Sequence, residues 1–321
     1  MHIPDGFLSA RVAFGYAALS SLAVGAACYR LRAQRARGAS ALLGVSAAFV
    51  FAAQLVNFPV VAGTSGHLIG SALAGALLGL PAALLVMTAV IMVQCFVLAD
   101  GGVFALGANV FNMALVGCVV GCCCYRLSCG AAPSPTRRVA SVAFSGWCAA
   151  VAGAASCAAQ LSLAGVARLP VVLPAMLGVH ALIGVGEAVI SALVVASILR
   201  FRPELLEHGA QVTLGARPRL AAVYAGLGLS LVVAAVLAPL GYSAPDGLSR
   251  VLMALGLRAS APSPSLAEYG LSGVVSGVLA TLLAGCLCTL FLFGLCWLLA
   301  LALMPRPARS SERARVAVES P

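Results

Sequence analysis

The sequence predicts an all-α fold, a polytopic helical membrane protein, on three observations. Apolar residues make up 62% of the chain and charged residues only 9%. Runs of about twenty apolar residues, each long enough to cross a hydrocarbon core roughly 30 Å thick, recur from end to end. The basic residues, all of them arginine, gather between alternate runs. A β-barrel would show alternating segments of about ten residues and a polar interior. Most of the twelve cysteines lie inside apolar runs, where they read as small packing residues rather than as a disulfide scaffold.

Taken in order, the chain opens MHIPDGFLSA, and Pro4, Asp5 and Gly6 form a turn that folds the terminus back on itself. No basic residue precedes Arg11, and the following apolar run is longer than a signal core, so the amino terminus is expected to stay in the protein. Spans are expected near residues 8–29, 41–57, 67–80, 82–98, 106–127, 139–160, 173–199, 220–240 and 271–304. Only Gly79, Leu80 and Pro81 divide the third from the fourth, and a single bent helix is the alternative there. Between the last two spans, Leu248, Val251, Leu252 and Leu255 fall at i, i+3, i+4 and i+7. That spacing predicts a short amphipathic helix packed on the outer face.

Orientation follows from the arginines. Arg30, Arg32, Arg35 and Arg37 follow the first span, Arg126, Arg137 and Arg138 the fifth, and Arg200, Arg202, Arg217 and Arg219 the seventh, while Arg306, Arg309, Arg313 and Arg315 lie in the tail. With nine spans these share one side, and only Arg11, Arg168, Arg250 and Arg258 fall on the other. The positive-inside rule then places the amino terminus outside and the tail in the cytosol of a cell-membrane protein, the inner membrane where there are two. The net charge of +10 reads as a topology signal, not as a nucleic-acid footprint.

Polar groups within such a chain are informative because each is costly to bury. Of the four histidines, His208 falls in a cytosolic loop and is expected to be solvated, while His2, His67 and His180 lie toward the outer side. His67 sits in GTSGHLIG, where Gly63 and Gly66 let the backbone approach another group. A free amino terminus, the amide nitrogen of residue two and the His2 imidazole can chelate one metal through two fused rings. The His67 imidazole would complete four nitrogens in a plane, a set that favours Ni(II) or Cu(II) over tetrahedral zinc. The alternative is a helix-end histidine that caps backbone carbonyls.

The stretches MHIPDGFLS, NFPVVAGTSGHLIGSALAGALLG, VLADGGVFALGANVFNMALVG and HALIGVGEAVI, in that order over roughly residues 1–200, resemble the signature segments of the substrate-specific membrane component of the energy-coupling-factor transporters for cobalt and nickel, the CbiM/NikM family. The resemblance implies a seven-helix substrate-binding core, in agreement with the seven spans counted to residue 199. It implies that Met1 (its amine), His2 and His67 bind Ni2+ or Co2+ as transported substrate. Residues 220–304, with YSAPDGLSR in their outer connection, resemble the two-span auxiliary protein of the same transporters. The expected organisation is a metal-binding core over 1–200, a cytosolic linker over 201–219, a fused two-helix segment over 220–304 and a basic tail over 305–321.

A Walker phosphate-binding loop needs a lysine, and the chain has none. The resemblance therefore implies cytosolic ATPase subunits and a transmembrane coupling protein as separate partners, with no enzyme activity in this chain. Small residues at four-residue spacing, at Ala13, Ala17, Ser21 and Gly25 and at Gly44, Ala48 and Ala52, suit either contact with that coupling protein or packing within the chain. Asn57, Asp100, Asn109, Asn112, His180 and Glu187 lie at or within span ends, where one of them can orient a metal-bound imidazole, or where they serve as interhelical hydrogen bonds. The cysteines of GCCCYRLSCG, at a cytosolic span end, either receive a released soft metal or simply pack. Two other readings compete. One is an intramembrane serine protease with Ser65 of GTSG as nucleophile and His180 as base; the other is a stand-alone metal permease.

Overall fold

A computed structural model describes residues 1–33, 40–207, 216–257 and 277–303 and is built as the composition predicts, from helices. They are α1 (Ala10–Ala33), α2 (Ser40–Gln54), α3 (Ser71–Leu78), α4 (Leu80–Leu98), α5 (Leu106–Cys129), α6 (Pro135–Leu163), α7 (Leu169–Phe201), α8 (Ala216–Val232, continued by wider and then tighter turns to Leu240), α9 (Gly247–Ala254) and α10 (Gly277–Leu303). Seven are long and apolar enough to cross a membrane: α1, α4, α5, α6, α7, α8 from Leu220 and α10 from Val278. In hydrocarbon every backbone polar group must find its partner inside the segment, which is why these runs are helical. Prolines in the first turns of α4, α6 and α7 suit helix starts, where no N–H partner is lost. Ser134 caps α6 by accepting from the Arg137 amide at 3.2 Å. His208, and the arginines at 35, 37, 258, 306, 309, 313 and 315, lie outside the described residues.

The third predicted span, 67–80, departs from expectation. Its helix has eight residues, about 12 Å at 1.5 Å per residue, too short to cross unaided. The residues before it are not an open outer loop. Strands β1 (Phe58–Val60) and β2 (Thr64–Gly66) pair antiparallel, with Phe58 opposite Gly66, and β2 is wholly buried. From β2 the chain continues without helix through the buried residues 68–70 to Gly70, whose φ of +81° turns it into α3. Non-helical backbone among helices needs partners of its own. Glu187 of α7 accepts from the amides of Ile69 (2.5 Å) and Gly70 (2.9 Å), Gln54 Nε2 donates to the Ile69 carbonyl (2.6 Å), and the Ser65 amide donates to the Pro245 carbonyl (2.9 Å). The bent-helix alternative is excluded by Gly79, whose φ of +76° ends α3 before α4 begins.

The C-terminal helices pack on the preceding ones. A Cβ on Gly44 of α2 would lie 2.7 Å from the Phe293 carbonyl of α10, and Ala48 and Ala52 are fully buried. That small-residue stripe therefore serves packing within the chain. Ala13 and Ala17 of the first stripe face inward, Ala17 against Gly107, whereas Ser21 and Gly25 are exposed. Helix α9 is the amphipathic helix predicted, with Leu248, Val251 and Leu252 buried and Leu255 closing its end. Asp246 caps it, its Oδ1 accepting from the Ser249 amide at 2.8 Å. The Tyr242 amide donates to the Asn57 carbonyl at 2.9 Å, so the α8–α9 connection is tied to the β1 end of the bundle.

Candidate metal site

The amino terminus is an irregular segment anchored at both Ile3 and Asp5. Ile3 is fully buried; its amide donates to Asn109 Oδ1 (2.8 Å), and its carbonyl accepts from Asn109 Nδ2 (3.1 Å) and the Gly102 amide (2.9 Å). The Pro4–Gly6 turn sends the Asp5 carboxylate onto the amides of Val103 (3.0 Å), Phe104 (2.9 Å) and Ala105 (3.3 Å). This docking needs the two glycines that follow Asp100. Gly101 has φ +91°, and a Cβ on Gly102 would come within 2.1 Å of Asp5 Oδ1.

Anchored so, the first two residues are held inside the bundle. Met1 is 4% exposed, with its methyl group against Gly153 of α6, and its amino group donates to Asp246 Oδ2 at 3.1 Å. The His2 ring, 6% exposed, places Nε2 at 3.2 Å from Gln94 Oε1 and Nδ1 at 3.3 Å from Asp100 Oδ1. His67 lies beside it, the two rings nearly parallel (18°) with centroids 5.9 Å apart. Its Nδ1 stands 2.9 Å from the Leu68 carbonyl. A carbonyl only accepts, so Nδ1 carries the proton and the lone pair is on Nε2. Burial lowers the His2 pKa below its ordinary value even with Asp100 alongside, and burial, the Met1 amino group and His2 together lower that of His67 to about 4. Both rings are therefore neutral at pH 7, the form in which imidazole is a ligand. Burial alone would raise the Asp246 carboxyl, but the Met1 ammonium and the Ser249 hydrogen bonds outweigh it and hold the carboxyl below the usual range.

Of the polar residues singled out in the sequence, Asp100 reaches His2 and Asn109 pins Ile3, as described. Asn57 acts through its main-chain carbonyl on Tyr242. Asn112 forms a closed amide pair with Gln160 (2.7 and 2.9 Å) and accepts from Ser156 Oγ (2.6 Å), joining α5 to α6. His180 Nδ1 bonds its own helix at the Met176 carbonyl (2.9 Å), and Glu187 holds the backbone just after His67. None of the six is bonded to the His67 ring, because the adjacent Leu68 carbonyl already occupies its Nδ1. The protease geometry is not formed: Ser65 Oγ donates to the Ala244 carbonyl at 2.7 Å, and His180 bonds Met176. The cysteines of the cluster are free thiols, Cys122 packed against Gly75.

Sequence reasoning missed Asp246, Gln54 and Gln94. PDG occurs twice, at 4–6 and 245–247, and the repeat was the available signal for Asp246. A glutamine deep in an apolar run was the signal for the other two. Among the described residues no three His, Cys, Asp or Glu side chains form a metal-binding group. A nitrogen site at His2 and His67 has to draw on the main chain.

The chain matches the family described as cobalt uptake substrate-specific transmembrane region over residues 2–205. It is 37% identical to the putative fused nickel transport protein NikMN of Archaeoglobus fulgidus over 92% of this chain and 96% of that protein. To the cobalt transport protein CbiM 2 of Pelobacter propionicus it is 35% identical, over 40% of this chain and 58% of that one. The crystal structure of a truncated transition metal transporter superposes with a TM-score of 0.56 at 31% identity, covering 62% of this chain and 99% of the other. The chain is thus a multi-pass membrane protein that belongs to the cobalt uptake substrate-specific transmembrane region family, CbiM.

Proposed function

We propose that this protein is the substrate-binding membrane component of an ATP-driven importer of Ni2+ or Co2+. It captures the ion from outside through the Met1 amine, the amide and imidazole of His2 and the imidazole of His67. The observation that carries this reading is that the buried Met1 and His2 lie beside the half-buried His67, with both rings neutral and the terminus pinned. Two neutral imidazoles, an amine and an amide that gives up its proton make a planar nitrogen set suited to these ions. The names of the relatives, nickel for one and cobalt for another, are consistent with either ion.

The remaining parts of the proposal follow from the chain. Residues 1–200 form the metal-binding core, 201–219 the linker, 220–304 a fused auxiliary segment and 305–321 a basic tail. Arg30 and Arg32 end α1, Arg126 ends α5, Arg137 and Arg138 begin α6 and Arg200 ends α7, each at the helix end remote from His2. This supports the site facing outward and the linker and tail facing the cytosol. Without a lysine for a Walker loop, energy comes from separate ATPase subunits through a transmembrane coupling protein. The test is metal titration of carboxyl-terminally tagged protein, in which wild type binds about one ion per chain and His67→Ala loses affinity by orders of magnitude while keeping its helices. Equal binding by the two would refute the site. Uptake by vesicles that hold this chain alone would refute the need for partners.

A further inference from the structure

The side-chain amides of Gln54 and Gln94 form a chain that the mechanism above does not use. Gln54 Nε2 lies 2.6 Å from the Ile69 carbonyl, Gln94 Nε2 lies 2.6 Å from Gln54 Oε1, and Gln94 Oε1 lies 3.2 Å from His2 Nε2. Both glutamines are buried, 4% and 2% exposed, so water does not compete for these groups. The direction of the chain is set at one end. A backbone carbonyl can only accept, so Gln54 must turn its NH2 to Ile69 and its oxygen to Gln94. Gln94 must then give its NH2 to Gln54 and its oxygen to His2. The last acceptor in the series faces His2 Nε2, which must be an N–H.

This matters because the ring nitrogens of His2 are not equivalent as ligands. Only Nδ1 can close a six-membered chelate ring with the residue's own amide nitrogen; Nε2 points away from it. A neutral imidazole has one N–H, and a proton held at Nε2 leaves the lone pair on Nδ1, opposite the Asp100 carboxylate at 3.3 Å. Two acceptors facing each other at that distance attract a cation. We propose that Gln54 and Gln94 are positioning residues that, anchored on the Ile69 carbonyl, hold His2 in its Nε2–H form and so present Nδ1 to the incoming metal. The relay also joins the two halves of the site, since Ile69 lies two residues beyond His67 and its amide is held by Glu187. The inference rests on the metal site proposed above, but its first readout needs no metal.

The experiment uses full-length, carboxyl-terminally tagged protein labelled with 15N-histidine, with the His2 signal assigned by its absence in His2→Gln. The 15N shifts of metal-free protein at neutral pH report which ring nitrogen is protonated, and nickel titration of the same samples reports affinity. Wild type is expected to show Nε2–H. Gln94→Leu, which removes the acceptor, is expected to give a mixture of tautomers and a loss of nickel affinity of about 10- to 100-fold. Gln94→Glu has the same shape and keeps an oxygen at Nε2, so it should retain the tautomer and most of the affinity; a purely space-filling role would predict the same of the similarly sized Gln94→Leu, whereas the relay predicts its loss. Gln54→Leu, which frees Gln94 to turn, should resemble Gln94→Leu and serves if that variant does not fold. An Nδ1–H signal in wild type, or an unchanged tautomer in both leucine variants, overturns the relay even if nickel binds tightly. If the tautomers behave as expected but wild type binds neither nickel nor cobalt, the relay stands and the proposed function fails.

Discussion

At Asp246 and His67 the same half-buried site acts on two titrations, and both tie stability to pH. The Asp246 carboxyl is held below its ordinary value, so its contribution is complete above about pH 4 and is lost as pH falls further. His67 is lowered to about 4, so the unfolded chain takes up its proton first, near pH 6.5, and the native state loses stability as pH falls from there toward 4. Melting of metal-free protein in detergent should therefore fall between pH 6.5 and 4. His67→Gln should flatten that fall, by up to about 2 kcal/mol. Asp246→Asn should lower the melting point by a similar amount at pH 7, and by progressively less only as pH falls below about 4, with most of the effect still present at pH 3. Metal binding should show a further dependence. With both rings already neutral, the protons released on loading come from the Met1 amine and the His2 amide, about two per ion. Calorimetry in buffers of different ionisation enthalpy counts them, and affinity should drop steeply from pH 8 to 6. A count near zero would rule out amide ligation.

At the level of elements, the amino-terminal turn and the segment from β2 to α3 are irregular pieces held among regular helices. Each is fixed by groups from distant elements: the Asn109 side chain and the backbone amides around Val103 for the turn, the Glu187 and Gln54 side chains for the segment after His67. Gly102→Ala tests the first. Its methyl group would occupy the position of the Asp5 carboxylate, so the turn must shift. The expected result is unchanged helix content by circular dichroism with metal affinity reduced at least tenfold, because displacing a ligand by about 1 Å is enough to spoil a chelate.

For the whole molecule, the candidate site is assembled from both ends of the chain. Met1 meets Asp246 across 245 residues, and α9 lays Gly247 against His180 and Ile183 of α7. The terminal amine must be free for the proposed chelate. One residue added before Met1 would turn the amine into an amide, move His2 out of chelate position and break the pair with Asp246. Amino-terminally tagged protein should reach the membrane and bind neither nickel nor cobalt, whereas a tag after residue 321 should be harmless. Equal binding by the two tagged forms would mean that MHIPDG is a structural plug and that the metal is held elsewhere.

The helical membrane class, the order of the helices and the amphipathic helix at 247–254 were legible in the chain itself, because hydrophobic length and the 3.6-residue period are local properties. Met1, His2 and His67 were legible as a candidate set because their chemistry depends on residue type and on position at a free terminus. The hairpin at 58–66, with its second strand buried, was not, since a glycine-rich segment reads as loop unless one knows that Glu187, 117 residues later, will satisfy the Gly70 amide. Asp246, Gln54 and Gln94 were hidden for the same reason. A buried polar side chain takes its role from the partner brought to it, and only the folded bundle sets the Ile69 carbonyl, two amides and His2 in one directed line.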